Sequence, residues 1–62
     1  MSYAEFPEVT FVELNTGDIF VYGDNMFVKK EIASRQFNAE DVETAELWEF
    51  DEDDKVLLIK KG

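Results

Sequence analysis

The sequence contains no cysteine and no histidine among its 62 residues. The absence of cysteine excludes a disulfide framework, and the absence of both residue types excludes a zinc site of the usual kind. Nucleophilic triads need a base that titrates near neutral pH, usually histidine, so this route to catalysis is also closed. We therefore expect a non-enzymatic protein with no cofactor and no bound metal.

Basic residues are scarce, because 6 Lys and Arg stand against 15 Asp and Glu and give a formal net charge of −9. Phosphate binding is driven by Lys and Arg, so direct binding to nucleic acid is not expected. Partners with basic surfaces would instead be attracted. No stretch approaches the roughly 18 apolar residues of a membrane span. The N-terminus also lacks the basic and apolar segments of a signal peptide.

The residues that are present suffice for one small core. The chain is 45% hydrophobic and 15% aromatic, and we predict a single domain over residues 1–62. A chain of this length buries only about 60% of the surface that its unfolded form exposes. Its stability is therefore expected to be marginal.

Turn residues divide the first half of the chain into strands. Residues 15–17 (Asn-Thr-Gly) and 23–25 (Gly-Asp-Asn) are typical turn sequences. The β-branched and aromatic residues at 18–22 predict a strand between them, and residues 26–28 predict the next. Residues 11–14 predict an incoming strand, which would complete a meander. Residues 55–61 predict a last strand, whose closing lysines are typical of a protected sheet edge.

Residues 37–50 have two interpretations. In the first they form a helix, with Asn38 as the N-cap and Val42, Ala45 and Trp48 spaced by three. In the second, residues 43–46 are a turn between strands at 37–42 and 47–50. The aromatic content of residues 47–50 favours the second interpretation. An α+β fold with a helix around 38–50 is the alternative.

Short motifs spread over most of the chain resemble a family of small bacteriophage proteins. They are Leu14-x-x-Gly17-Asp18-x-Phe20, Phe27-Val28-Lys29, Asn38-Ala39, Glu43-Thr44-Ala45-Glu46-Leu47 and Phe50-Asp51-Glu52-Asp53-Asp54-x-Val56. The resemblance implies an all-β fold, a small SH3-like barrel of about five antiparallel strands. It also implies a phage origin, and hence the host cytoplasm as location, and no catalytic residues. Glycine commonly stands in that family where this chain has Ala45.

Carboxylates cluster in the second half of the chain. Nine lie within 15 residues: Glu40, Asp41, Glu43, Glu46, Glu49, Asp51, Glu52, Asp53 and Asp54. Such a cluster can present a phosphate-like pattern to a basic groove, although acidity also keeps a small aromatic-rich domain soluble. Residues 51–54 offer oxygen ligands for Ca²⁺ but lack the spacing of an EF-hand, so a solvated turn is preferred. Tyr3, Tyr22 and Trp48 are either binding anchors or core residues.

These observations predict an acidic phage protein that binds a host protein with a basic surface. The predicted contact residues are those nine carboxylates together with Trp48. A nucleic-acid-mimicking inhibitor is one form of this function, and the protein would be a monomer or a weak homodimer. The alternative is a virion or self-assembling structural component that uses the strand at 56–59.

Overall fold

A computed structural model of the chain describes residues 5–31 and 37–62, which fold into a six-stranded antiparallel sheet. Tyr3 lies outside the described residues. The strands are β1 (Glu8–Thr10), β2 (Ile19–Tyr22), β3 (Asn25–Lys29), β4 (Ala39–Asp41), β5 (Leu47–Trp48) and β6 (Lys55–Lys60). A 3₁₀ helix, Phe11–Glu13, follows β1. The prediction of an all-β fold is confirmed, and no helix of the described residues is long and apolar enough to span a membrane.

The strands lie in the order β1-β6-β2-β3-β4-β5. Within the described residues no pairing joins β1 to β5, so the sheet is open at this point and does not close into a barrel. The predicted meander of residues 11–14, 18–22 and 26–28 is present only in its β2–β3 part, because β1, the strand before β2, pairs with β6 instead. The prediction of a sheet edge at residues 55–61 is wrong, because β6 lies between β1 and β2.

The prediction of a strand at residues 11–14 is also wrong, and the reason lies in the core. Residues three apart share one side of a 3₁₀ helix, so Phe11 and Leu14 both enter the core while Val12 and Glu13 between them are exposed. The backbone donors of Phe11 and Val12 bond the carbonyls of Asp54 and Glu52, at 2.8 and 3.1 Å. These hydrogen bonds to the turn at residues 51–54 thus replace the interstrand hydrogen bonds that a continued strand would make.

The β2–β3 hairpin follows the prediction closely. Tyr22 and Asn25 are paired, which leaves a two-residue loop whose first residue, Gly23, has φ 64°. Glycine is required at this position of a type II′ hairpin turn. The preceding turn ends at Asp18, whose N–H donates to the carbonyl of Asn15 at 3.0 Å. Local turn chemistry therefore sets the register of this hairpin.

Residues 37–50 form strand, turn and strand, so the helical alternative is wrong. β4 pairs with β3 on one side and with β5 on the other. The two strands are shorter than predicted, and the turn between them spans residues 42–46. Ala45 in this turn has φ 63° and is the one described non-glycine residue with positive φ. Pairing of β4 with β3 satisfies backbone groups that a helix would bond internally. Pairing of β5 with β4 then brings Trp48 onto the core.

An aromatic cluster forms the core, with Phe50 at its centre. The ring of Phe50 lies 5.2–5.3 Å from the rings of Phe11, Phe20, Phe27 and Tyr22, and 6.1 Å from that of Trp48. Aliphatic side chains, including Leu14, Ala39 and Val56, complete the buried cluster. The segments around Phe11 and Phe50 therefore close over one face of the sheet.

Candidate protein-binding surface

The nine clustered carboxylates do not share one environment. Asp41 is buried, with 6% of its surface exposed. Its Oδ1 accepts hydrogen bonds from the backbone N–H groups of Glu43 and Thr44, at 2.8 and 3.1 Å. Asp41 therefore offers little surface to a partner, because its carboxylate closes its own turn, and its contact with a partner stays a prediction.

Two further members of the predicted set are half-buried and engaged within the protein. Glu40 is half-buried on β4, with its Oε1 3.7 Å from Nζ of Lys30. Asp54 is also half-buried, and its Oδ2 accepts from the N–H of Asp51 at 2.9 Å. Both residues keep some exposed surface, but each already has a partner that a binding protein would have to displace or share.

Trp48 packs mainly into the core. Its ring lies 5.0 Å from that of Phe27 in an edge-on arrangement, and its Nε1 donates to Oε1 of Glu46 at 3.0 Å. Tyr22, in contrast, is 43% exposed although its ring edge meets Phe50. Of the two, Tyr22 is the more accessible aromatic side chain.

The remaining carboxylates are exposed, and we refer to them as the acidic set. They are Glu43, Glu46, Glu49, Asp51, Glu52 and Asp53. No Lys or Arg occurs between Phe37 and Asp54, so no cation on this stretch neutralises them. The acidic set is a concentration of negative charge of the kind that attracts cationic partners over distance, and within it the charge of Glu52 interacts with that of a described cation, Lys29.

The turn at residues 51–54 is held in place by the chain around it. Its backbone bonds to Phe11 and Val12 fix it against the 3₁₀ helix. Asp54 donates its N–H to the carbonyl of Asp51 at 3.1 Å, which closes the turn. The sequence predicts a solvated turn here, and these bonds give the backbone of that turn a defined position.

This anchoring places an apolar side chain beside the acidic turn. Val12 is 54% exposed, more than the other large hydrophobic residues described as exposed, and its backbone N–H bonds the carbonyl of Glu52. Glu13 next to it is exposed as well. Sequence reasoning missed both residues, because it assigned them to a strand. The apolar-apolar-acidic-apolar pattern at 11–14 would have shown the spacing of three that a helical turn buries.

Three carboxylates of the turn could meet around a cation. Ligand atoms of Asp51, Asp53 and Asp54 lie within 4.8 Å of one another, and they are the one such group within residues 5–31 and 37–62. Exposed acidic turns commonly have this geometry without a metal. The arrangement by itself therefore does not distinguish a cation site from the solvated turn that the sequence predicts.

A second charged group lies at the start of β2. Asp18 is buried, with 3% of its surface exposed. Its carboxylate accepts from the backbone N–H of Asn15 at 2.9 Å and of Gly62 at 3.0 Å. These two hydrogen bonds lower the pKa of Asp18, because they favour the ionised form. Asp18 thereby ties the end of the described chain to the turn before β2.

Lys29 is a cation that the fold uses internally. Its Nζ donates to the carbonyls of Leu14 and Phe11 at 2.7 and 3.0 Å, and it lies 4.5 Å from the centre of the Phe11 ring. Loss of hydration lowers the pKa of Lys29, although the charge of Asp18 opposes this shift. One of the few basic residues is thus committed to holding the 3₁₀ helix against β3.

No protein-family model matches the chain, and no curated protein or solved structure is significantly similar to it. The resemblance to small phage proteins therefore stays a prediction.

Proposed function

We propose that this protein is a non-enzymatic binding protein that uses its acidic set to engage a basic surface on a partner protein. The observation that carries the proposal is the segregation of charge. Nine of the 15 acids and none of the 6 bases lie between Phe37 and Asp54. A need for solubility alone would be met by charge spread over the whole surface.

The anchored turn at residues 51–54 adds shape to this charge. Backbone bonds to the 3₁₀ helix hold Asp51, Glu52 and Asp53 beside the exposed Val12. An apolar contact with a charged rim is a common composition for a protein interface. A basic partner with a small apolar depression would fit this composition better than a uniformly charged polymer.

A nucleic-acid-mimicking inhibitor is one form of the proposed function, in which the carboxylates occupy a groove that otherwise binds phosphates. The phage origin, the host partner and the SH3-like fold belong to the same proposal and rest on the sequence resemblance. Under this proposal the sheet is related to an SH3-like barrel but stays open, because its first and last strands, β1 and β5, do not pair with each other in the described part of the chain. Self-association through residues 56–59 is less favoured, because β6 already has a neighbour on each side.

A pull-down from host lysate at low and at high salt tests the proposal. The test variant carries Asp51→Asn, Glu52→Gln and Asp53→Asn, and leaves Asp54 in place because it closes the turn. A matched control carries Glu5→Gln, Glu8→Gln and Asp24→Asn, three acids that are exposed elsewhere. Both variants raise the formal net charge of −9 by three units, so net charge is held equal.

A partner identified by mass spectrometry should be retained by the wild type and by the control, released by salt, and lost by the test variant. Salt dependence is expected because exposed charges are screened. Equal loss in both variants would show that net charge alone matters. Equal retention in both variants, at either salt concentration, would contradict the proposal.

A further inference from the structure

The outer side of β5 is an open sheet edge. Among the described residues no strand pairs with β5 on the side away from β4. The backbone carbonyls of Glu46 and Trp48 accept from β4 and its extension, at 2.8 and 2.9 Å. Since alternate residues of a strand direct their backbone groups to opposite sides, the N–H and C=O of Leu47 point outwards.

Asn38 extends this edge beyond the two residues of β5. Its side chain donates from Nδ2 to the carbonyl of Phe50 and accepts at Oδ1 from the N–H of Phe50, both at 2.9 Å. The backbone of Phe50 thus faces β4 as that of Trp48 does. By the same alternation, Glu49 between them presents its N–H and C=O to the outside. Leu47 lies in β5 and Glu49 directly follows the strand, so we infer one outward donor and acceptor within the strand and one pair just beyond it.

The β5 edge is protected by its shortness, since the strand has two residues, but not by lysine or proline. Natural edges are guarded by lysine, proline or bulges, and β1 at the other end of the sheet begins directly after Pro7. No Lys, Arg or Pro occurs between Phe37 and Asp54. The guards of the β5 edge are acidic instead, because Glu46 and Glu49 flank the exposed Leu47.

The charge of this edge selects its occupant. A second copy of the chain would bring an edge that carries the same two acidic residues, Glu46 and Glu49, and surfaces of like charge repel one another. A basic strand would instead form opposite-charge pairs. We propose that the β5 edge, formed by residues 46–50, binds an extended basic segment of a partner protein by strand addition. This inference rests on the proposed function and specifies how the partner binds.

Nuclear magnetic resonance titration with a short peptide of alternating lysine and valine tests the inference. The control probe is the same peptide with every backbone nitrogen methylated, which keeps its charge and side chains but removes its donors. We expect the first peptide to bind more tightly than the second. Hydrogen exchange at the amides of Leu47 and Glu49 should slow in the complex, because those donors become bonded.

Protein variants separate backbone pairing from charge. Glu49→Pro removes an outward donor, as proline does at tolerated edge positions, and Glu49→Gln removes the charge but keeps the donor. We expect Glu49→Pro to bind the unmodified peptide about two- to tenfold more weakly than Glu49→Gln, the loss that one net hydrogen bond gives. The exchange measurement on the wild type does not depend on whether the proline variant folds.

The outcomes distinguish the two proposals. Equal binding of both peptides, with unchanged exchange at Leu47 and Glu49, would overturn strand addition and leave electrostatic binding intact. If neither peptide binds at low salt, the proposed function and this inference both fail. Binding of the unmodified peptide with protection confined to β1 would also overturn the assignment to β5.

Discussion

Replacement of Ala45 by glycine is expected to stabilise the protein. Ala45 has φ 63° in the turn between β4 and β5, where an L-residue with a Cβ costs roughly 1–2 kcal/mol. Glycine removes this cost but loses about 0.4–1 kcal/mol through the greater freedom of the unfolded chain. The net gain in the free energy of unfolding should therefore be about 0.5–1 kcal/mol. For 62 residues this corresponds to a rise of about 4–8 °C in Tm.

Gly23 provides a reciprocal test of the same reasoning. Its φ of 64° matches that of Ala45, and a Cβ built on it would meet no atom within 4 Å. Gly23→Ala should therefore lower the free energy of unfolding by at least the amount gained at Ala45, because a type II′ turn requires glycine here, with no steric clash to confuse the result. Urea and thermal unfolding, followed by the fluorescence of Trp48, measure both changes.

A control at ordinary φ completes the design. Glu49 is exposed, and positive φ is not found there, so Glu49→Ala should be more stable than Glu49→Gly by about 0.5–1 kcal/mol. The order of alanine and glycine is thus reversed between positions 45 and 49. If Ala45→Gly were no more stable than the wild type, the account of the strained turn would be refuted.

Three further substitutions test the core, the buried acid and the extended edge. Phe50→Ala should cost about 3–5 kcal/mol and leave the domain largely unfolded by circular dichroism; a cooperative transition near the wild-type Tm would contradict the role of Phe50. Asp18→Asn should be less stable near neutral pH. Because folding lowers the pKa of Asp18 from its ordinary value of 3.8, the deficit should shrink as pH falls below 3.8 and through the lowered pKa. A constant deficit in urea unfolding over this range would refute the linkage. Asn38→Asp loses the donor to the carbonyl of Phe50 and should cost about 1–3 kcal/mol in the same assay, whereas unchanged stability would show that the side-chain bridge contributes nothing.

The parts of the fold that local chemistry determines could be predicted from the sequence. The β2–β3 hairpin depends on Gly23 at positive φ and on a run of β-branched and aromatic residues, both of which are visible within a few positions. The strand–turn–strand interpretation of residues 37–50 was correct because the aromatic content outweighed a weak helical spacing.

The parts that depend on distant contacts could not be predicted in the same way. Whether residues 11–13 continue a strand depends on carbonyl groups of the turn at 51–54, about forty positions further along. The place of β6 inside the sheet depends on its pairing with β1, from which it is separated by more than forty residues of sequence. Closing lysines are a poor guide to an edge, because they describe the end of a strand and not its neighbours.

The candidate site shows the same division. A list of nine carboxylates does not say which are buried, and Asp41 is buried because its partner across the ladder is the buried Phe27. A local signal for this was present, since an Asp followed by turn residues commonly bonds the backbone two residues on. No comparable signal marks Leu47 and Glu49. The outward direction of their backbone groups is inferred from the residues on either side of them, Glu46, Trp48 and Phe50, which are hydrogen-bonded to β4 and Asn38.

The concentration of carboxylates in residues 37–54 is expected to lower the stability of the isolated domain. Like charges crowded on a small domain repel one another and oppose compaction, and the domain has only one small core to offset that repulsion. The six bases could have relieved it, yet all of them lie outside residues 37–54. The one described ion pair that reaches this segment joins Lys30 to Glu40, away from the acidic set. Neutralising Asp51, Glu52 and Asp53 should therefore raise the free energy of unfolding of the isolated domain, and urea unfolding at low salt measures the change.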